Sequence, residues 1–120
     1  KLVEYCQRRG VTVQAYSSLG TPGYKEDGEP TVLRDPVLVR LAEEKGVSVA
    51  QLVLAWGVKR GCSVVAKAID ENHQKDNLGA LREDLQLTEE DMKSISKLDR
   101  GYRYFRPDEW WGSMNMAVFD

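Results

Sequence analysis

The chain has 120 residues, 42% hydrophobic and 30% charged, with 17 Lys and Arg against 19 Asp and Glu. That length suits one domain burying about two-thirds of its unfolded surface, and the composition excludes disordered, collagenous and low-complexity classes. A formal charge of -2 gives no broad attraction to nucleic acid or to an anionic membrane.

No run approaches the roughly 18 unbroken apolar residues of a membrane helix, and no signal-peptide pattern opens the chain. Two cysteines, Cys6 and Cys62, are too few and too far apart for a disulfide scaffold, so the expected setting is reduced and cytoplasmic. The chain opens Lys1-Leu2-Val3-Glu4-Tyr5 without an initiator Met and already at helical spacing. A piece of something longer is the expectation.

Leu2, Val3 and Cys6 set a helical spacing through residue 9, with Gly10 as a left-handed stop. Residues 11–17 then alternate. Val11, Val13 and Ala15 face one way and Thr12, Gln14 and Tyr16 the other, which predicts a strand between two environments. The stretch 18–34 has no period and holds three Gly and two Pro, predicting a loop of the functional or mobile kind. Asp35-Pro36 pairs an N-cap with proline at the first helical position, and Val37, Leu38, Leu41 and Ala42 form an apolar stripe up to Gly46.

Ser48 and Gln51 are spaced as a capping box, with Val47 and Leu52 as its hydrophobic staple. The helix they open, residues 48–61, is apolar round most of its circumference and predicts deep burial. Residues 63–68 (SVVAKA), β-branched at Val64 and Val65, predict a second strand. Asp70 caps a helix through about Leu81. Thr88 and Asp91 open another, stapled by Leu87 and Met92, with Gly101 past its end. Strands alternating with helices predict parallel βα units. Two such short strands cannot cover so many helices, so the pattern is that of a larger α/β sheet or barrel with strands missing.

The helix, glycine turn and Ser-started second helix within residues 41–61 have the outline of a helix-turn-helix. A reading helix must offer polar and basic side chains, however, and this one offers Val49, Ala50, Leu52, Val53, Leu54 and Ala55. A buried helical hairpin is preferred. The tail, 101–120, holds six of the ten aromatics, Tyr102, Tyr104, Phe105, Trp110, Trp111 and Phe119. Asp108, Glu109 and Asp120 argue against stacking on single-stranded nucleic acid. Packing over a core and lining an apolar ligand pocket both stay open.

In parallel α/β proteins, ligands gather at the carboxyl ends of the strands. The first strand ends in Ala15-Tyr16-Ser17-Ser18-Leu19-Gly20-Thr21, a flat ring followed by hydroxyls and backbone freed by Gly20. The second ends in Ala66-Lys67-Ala68, ahead of the Asp70-capped helix start. A ring, hydroxyl and amide donors, and a lysine beside a helix start together suit a phosphate-bearing nucleotide. Packing for Tyr16 and solvation for Lys67 are the plainer alternatives. The chain has one histidine, His73, and neither Cys-x-x-Cys, Gly-x-Ser-x-Gly nor a P-loop. No metal ligand and no catalytic residue is assigned within it. Glu43, Glu44, Glu89, Glu90 and Asp91 read as solvated faces or first-turn complements to the helix dipole.

Taken in order, Ala15-Tyr16-Ser17-Ser18-Leu19-Gly20, a long loop, Asp35-Pro36 and Ala50-Gln51-Leu52-Val53-Leu54 resemble the aldo-keto reductases. Val64-Val65-Ala66-Lys67-Ala68, Asp76-Asn77 and Leu87-Thr88-Glu89-Glu90-Asp91-Met92 continue the resemblance to about Asp99. It implies an α/β fold: the carboxyl-terminal segment of a (β/α)8 TIM barrel, about the last two βα units plus an extra helix and a tail. Residues 1–100 would be the units and extra helix of one partial domain, and 101–120 its substrate-loop-like tail.

The resemblance implies reduction of aldehydes or ketones by hydride transfer, with NADP(H) ahead of NAD(H) and no metal. Tyr16 would stack on the nicotinamide, and Ser17, Leu19 and Thr21 would follow the pyrophosphate. Lys67, with Ala68 beside it, would meet the adenosine 2′-phosphate. Asp76 and Asn77 would hold the adenine, and Trp110 and Trp111 would wall the carbonyl pocket.

There are departures from the family pattern. The usual Pro-Lys-Ser is Ala66-Lys67-Ala68, one hydroxyl fewer, and His73 stands where an Arg clamps the phosphate. Asp76 replaces a Glu. The family's Tyr acid and its Lys, Asp and His partners fall upstream of Lys1, so the chain alone is expected to be inactive. Implied partners are a small aldehyde or ketone, with neither nucleic acid nor membrane. The complete form would be a monomer, and a fragment would self-associate through uncovered apolar helices. The alternative is a truncated, non-catalytic interaction module.

Overall fold

Local capping chemistry sets where each helix begins. In the computed structural model, which describes residues 2–20 and 31–102, the elements follow the expected order. Helix α1 spans Leu2–Gln7, strand β1 Val13–Ala15, and helix α2 Pro36–Lys45. Helix α3 follows over Val49–Lys59, then strand β2 over Cys62–Val64, helix α4 over Glu71–Leu78, and helix α5 over Glu89–Ser96. Short 3-10 turns at Val32–Arg34 and Gly79–Leu81 precede α2 and extend α4. The first of these is structure within the stretch expected to be loop. Residues 21–30 and the tail beyond residue 102 lie outside the described residues.

The Asp35 carboxylate accepts the N–H of Val37 at 3.0 Å, and Gly46 closes α2 in the left-handed region at φ 63. The Ser48 hydroxyl accepts from Gln51 N at 3.0 Å while the Gln51 side chain accepts from Ser48 N at 3.1 Å, so the capping box is reciprocal. Thr88 and Asp91 repeat it on α5.

Both strands are shorter than expected. They pair in parallel with each other, Val13 opposite Cys62, Gln14 opposite Ser63 and Ala15 opposite Val64, with Val65 N to Ala15 O (3.1 Å) as a further rung. A ladder extends only while both chains run alongside, and β1 leaves the line at Ser17, whose φ is 50. Val11, on the same expected face as Val13 and Ala15, is 52% exposed. Alternation marks a strand's faces but cannot say whether a layer covers the end of one.

The core is made by α2 and α3. Leu38, Leu41 and Ala42 meet Leu52, Val53, Leu54 and Ala55, with Ala80, Leu87 and Ile95 completing the cluster. Four consecutive buried residues on α3 require cover on several sides, as its apolar circumference predicted. Burying a leucine such as Leu52 fully stabilises by about 1.5–3 kcal/mol. Gly57 lets α3 close on β2: a Cβ there would stand 2.8 Å from Val64 Cγ1. By contrast, α1 and α4 bury no residue.

Asp91 holds its expected place in the first turn and capping box of α5, but it is buried there. It is 8% exposed and ion-paired to Lys45 at 2.7 Å, tying the end of α2 to the start of α5. Burial alone pushes the Asp91 carboxyl up, but bonds from Lys45 and Thr88 outweigh it and hold the group below the ordinary carboxylate range. Among the described residues, no helix is long and apolar enough to cross a membrane.

Candidate functional site

Because β1 and β2 run parallel with Ala15 opposite Val64, their carboxyl ends finish side by side. The segment from Tyr16 and the segment from Val65 therefore leave the same edge of the sheet. Tyr16 comes first and is 62% exposed. Ser17 then turns the chain in the left-handed region, and Gly20 (φ 78) donates its N–H back to Ser17 O at 2.8 Å. Ser18 spends its hydroxyl on Ala15 O at 3.2 Å. Ser17 has no side-chain bond among the described residues, which leaves its hydroxyl available to a ligand. Leu19 is partly buried against the core, which leaves its backbone as the polar part that can face one. Thr21, Trp110 and Trp111 lie outside the described residues.

On the β2 side, Lys67 is exposed and has no ion pair or hydrogen bond among the described residues. Asp70 caps α4, its Oδ1 accepting the N–H groups of Asn72 at 2.9 Å and His73 at 3.2 Å. Gln74 reaches back with Nε2 to the carbonyls of Ala68 at 3.4 Å and Ile69 at 3.3 Å, bracing the turn between strand and helix. Asn77 lines a cleft of about 320 Å³ with Val64, Ala66, Ala68, Gln74 and Leu81. His73 is exposed on the first turn of α4. Asp76 has a structural contact as well: its Oδ2 accepts the Ser48 hydroxyl at 2.6 Å. That bond fastens α4 to the amino terminus of α3.

These residues fit a nicotinamide dinucleotide. An apolar cleft edged by two side-chain amides suits a flat heteroaromatic base, an unpaired ammonium suits a ribose or phosphate, and an exposed ring suits a second flat ring. The cleft takes in Ala68 and Asn77, while Tyr16, Lys67 and His73 stand outside its lining. Sequence reasoning missed Gln74 as a support, since it belongs to no recognisable pattern, and it read Ser48 as a helix cap without foreseeing its bond to Asp76. It read Asp70 as a cap without weighing the charge that the cap brings.

A second cleft of about 500 Å³ lies between the turn before α2, α3 and the end of α5, lined by Val32, Val53, Trp56, Ile95 and Tyr102. Trp56 Nε1 is buried there without a hydrogen-bond partner among the described residues. Among the described residues, no group of three or more His, Cys, Asp or Glu could hold a metal ion.

The sequence model described as the Aldo/keto reductase family matches residues 1–100. The chain belongs to this family. It is 33% identical over 125 residues to an NAD(P)H-dependent D-xylose reductase of Pyricularia oryzae, covering 99% of this chain and 38% of that protein. It is 39% identical over 113 residues to an NADP-dependent D-sorbitol-6-phosphate dehydrogenase of Malus domestica, covering 92% and 36%. It is 34% identical over 123 residues to a prostaglandin-E(2) 9-reductase of Oryctolagus cuniculus, covering 100% and 38%. The chain spans well under half the length of each. Aldo-keto reductases imply a (β/α)8 barrel, and two parallel strands with flanking helices are what part of one contains.

Proposed function

We propose that this chain supplies the dinucleotide-binding part of an oxidoreductase that reduces aldehydes or ketones to alcohols. The observation that carries the reading is the parallel register, which puts the Tyr16–Gly20 turn and the Lys67–Asp70 segment at one edge of the sheet. Tyr16 offers its ring to the nicotinamide. The Ser17 hydroxyl and the backbone from Ser17 through Leu19 follow the pyrophosphate, with Thr21 continuing it. Lys67 faces the adenosine ribose, beside Ala68 and His73.

Asn77, with Gln74, offers amide edges to the adenine. Asp76 is a positioning residue there, holding α4 in place through Ser48. Trp110 and Trp111 wall the carbonyl pocket. When bound, the dinucleotide supplies the hydride that adds to the carbonyl carbon. The carbonyl oxygen needs a proton, and no residue of this chain is assigned as its donor. These residues alone therefore hold the dinucleotide without turning over. The whole protein is a cytoplasmic monomer in this reading.

The test is binding of NADH and NADPH, followed by fluorescence quenching, to the protein in its full expressed length. Tyr16→Ala and Lys67→Ala each weaken binding, and affinities equal to the parent's in both variants overturn the assignment.

A second reading rests on Leu2, Ile69, Leu78 and Leu81, which are 72%, 80%, 70% and 61% exposed. Apolar side chains that uncovered favour a non-catalytic fragment that associates with itself or a partner. Sedimentation at several concentrations separates the two. A concentration-independent monomer of these 120 residues removes self-association through these side chains.

A further inference from the structure

The adenosine end of the proposed site carries an unusual charge balance for a phosphate. Lys67 brings one positive charge. Asp70, at the head of α4, brings one negative charge and already takes the N–H groups of Asn72 and His73. Those are the groups through which a helix start grips a phosphate. A phosphate arriving there would have to displace the Asp70 carboxylate or lie against it. Glu71 adds a second carboxylate in the same turn, and it holds the Lys75 ammonium at 2.7 Å, so that cation is not free either. Ala68 has no hydroxyl to donate, and His73 offers a ring where a guanidinium would have made a fork of charged bonds.

A sugar phosphate carries about -1.5 to -2 charges and is all acceptor. A ribose with both hydroxyls free is a donor, and a carboxylate is an acceptor waiting for one. We propose that Asp70 is a specificity-determining residue that turns away a 2′-phosphate, so that the protein takes NAD(H) in preference to NADP(H). This rests on the dinucleotide site proposed above, and it reverses the order of cofactors expected from the resemblance. Lys67 then serves the ribose oxygens and the pyrophosphate charge.

The test measures dissociation constants for NADH and NADPH by fluorescence quenching, on the protein in its full expressed length. The variants are Asp70→Ser, which keeps a capping hydroxyl, Asp70→Asn, which keeps the shape, and His73→Arg, which adds a cation. The parent binds NADH more tightly. In Asp70→Ser and Asp70→Asn the NADPH-to-NADH affinity ratio rises about tenfold, and it rises in His73→Arg too.

Circular dichroism matching the parent's keeps a fall in affinity from being a loss of fold. A parent that prefers NADPH overturns the proposal, and so does a ratio that moves less than about twofold in both Asp70 variants. If the parent binds neither dinucleotide, the site assignment itself fails and takes this proposal with it.

Discussion

Gly57→Ala probes how α3 seats on β2, and through β2 where Lys67 leaves the sheet. A methyl at residue 57 would stand 2.8 Å from Val64 Cγ1. Comfortable carbon contacts begin near 3.5 Å, so about 0.7 Å must be found. Val64 is β-branched and half-buried within the strand pairing, with little rotamer freedom to give way. Overpacking of this kind costs about 1–3 kcal/mol. Removing glycine from a helix returns about 1 kcal/mol. The net expectation is a loss of about 1 kcal/mol, with a range from about 0 to 2.

Val64→Ala alone removes two methyl groups and costs roughly 1.5 kcal/mol. Made together, the two changes let one methyl fill space the other vacates, giving a favourable coupling of about 1–2 kcal/mol. Urea unfolding of the four proteins, with unchanged m-values, measures the cycle. If Gly57→Ala stabilises by the full helix-propensity gain and the coupling stays within about 0.5 kcal/mol of zero, α3 does not sit on β2 as described. Val64 also walls the smaller cleft, so Gly57→Ala weakens dinucleotide binding while Val64→Ala restores part of it.

Three further outcomes follow from other contacts. Asp91 is held below the ordinary carboxylate range. Its contribution is therefore complete above about pH 4, the unfolded value, and is lost as pH falls through the lower folded value. Denaturation across acid pH should show the parent losing stability there, and Asp91→Asn, about 1–3 kcal/mol weaker at neutral pH, should follow a flatter profile. Parallel profiles would remove the Lys45 ion pair from the account. Ser48→Ala takes away both the α3 cap and the bond to Asp76, so thermal unfolding should register a loss of about 1–2 kcal/mol. Asp76→Ala should then add less in that background than alone; full additivity would deny the link. Lys67→Ala should leave stability within about 0.5 kcal/mol and lower dinucleotide affinity about tenfold, a split that calorimetric unfolding and titration read separately. A stability loss matching the affinity loss would mean that Lys67 supports the fold instead.

What the residues disclose in advance is what is local. Asp35-Pro36, Ser48 with Gln51 and Thr88 with Asp91 mark helix starts because each cap closes within a few residues. The apolar circumference of α3 foretells its burial for the same reason. Strand length is different, since β1 and β2 end where their neighbours end, and that depends on chain far from either. Asp91 looks like an ordinary first-turn acid until Lys45, distant in sequence, is folded against it. That Tyr16 and Lys67 follow strands ending at one edge of the sheet is foreseeable, because parallel strands must deliver their ends together. The bond from Ser48 to Asp76 is not, because it depends on how α4 leans on α3. The weight of Asp70 was legible as a charge beside Lys67, yet its grip on two N–H groups shows only in the folded turn. Thr21, Trp110 and Trp111 lie outside the described residues and keep the roles proposed for them.

Hydrogen exchange read by mass spectrometry, with and without NADH, on the protein in its full expressed length reaches the central claim most directly. Bound dinucleotide should slow exchange in residues 16–20 and 65–77, the two segments that leave the sheet at one edge, with little change in α2. Binding that leaves both segments unprotected, or that protects only the cleft around Trp56, would contradict the account.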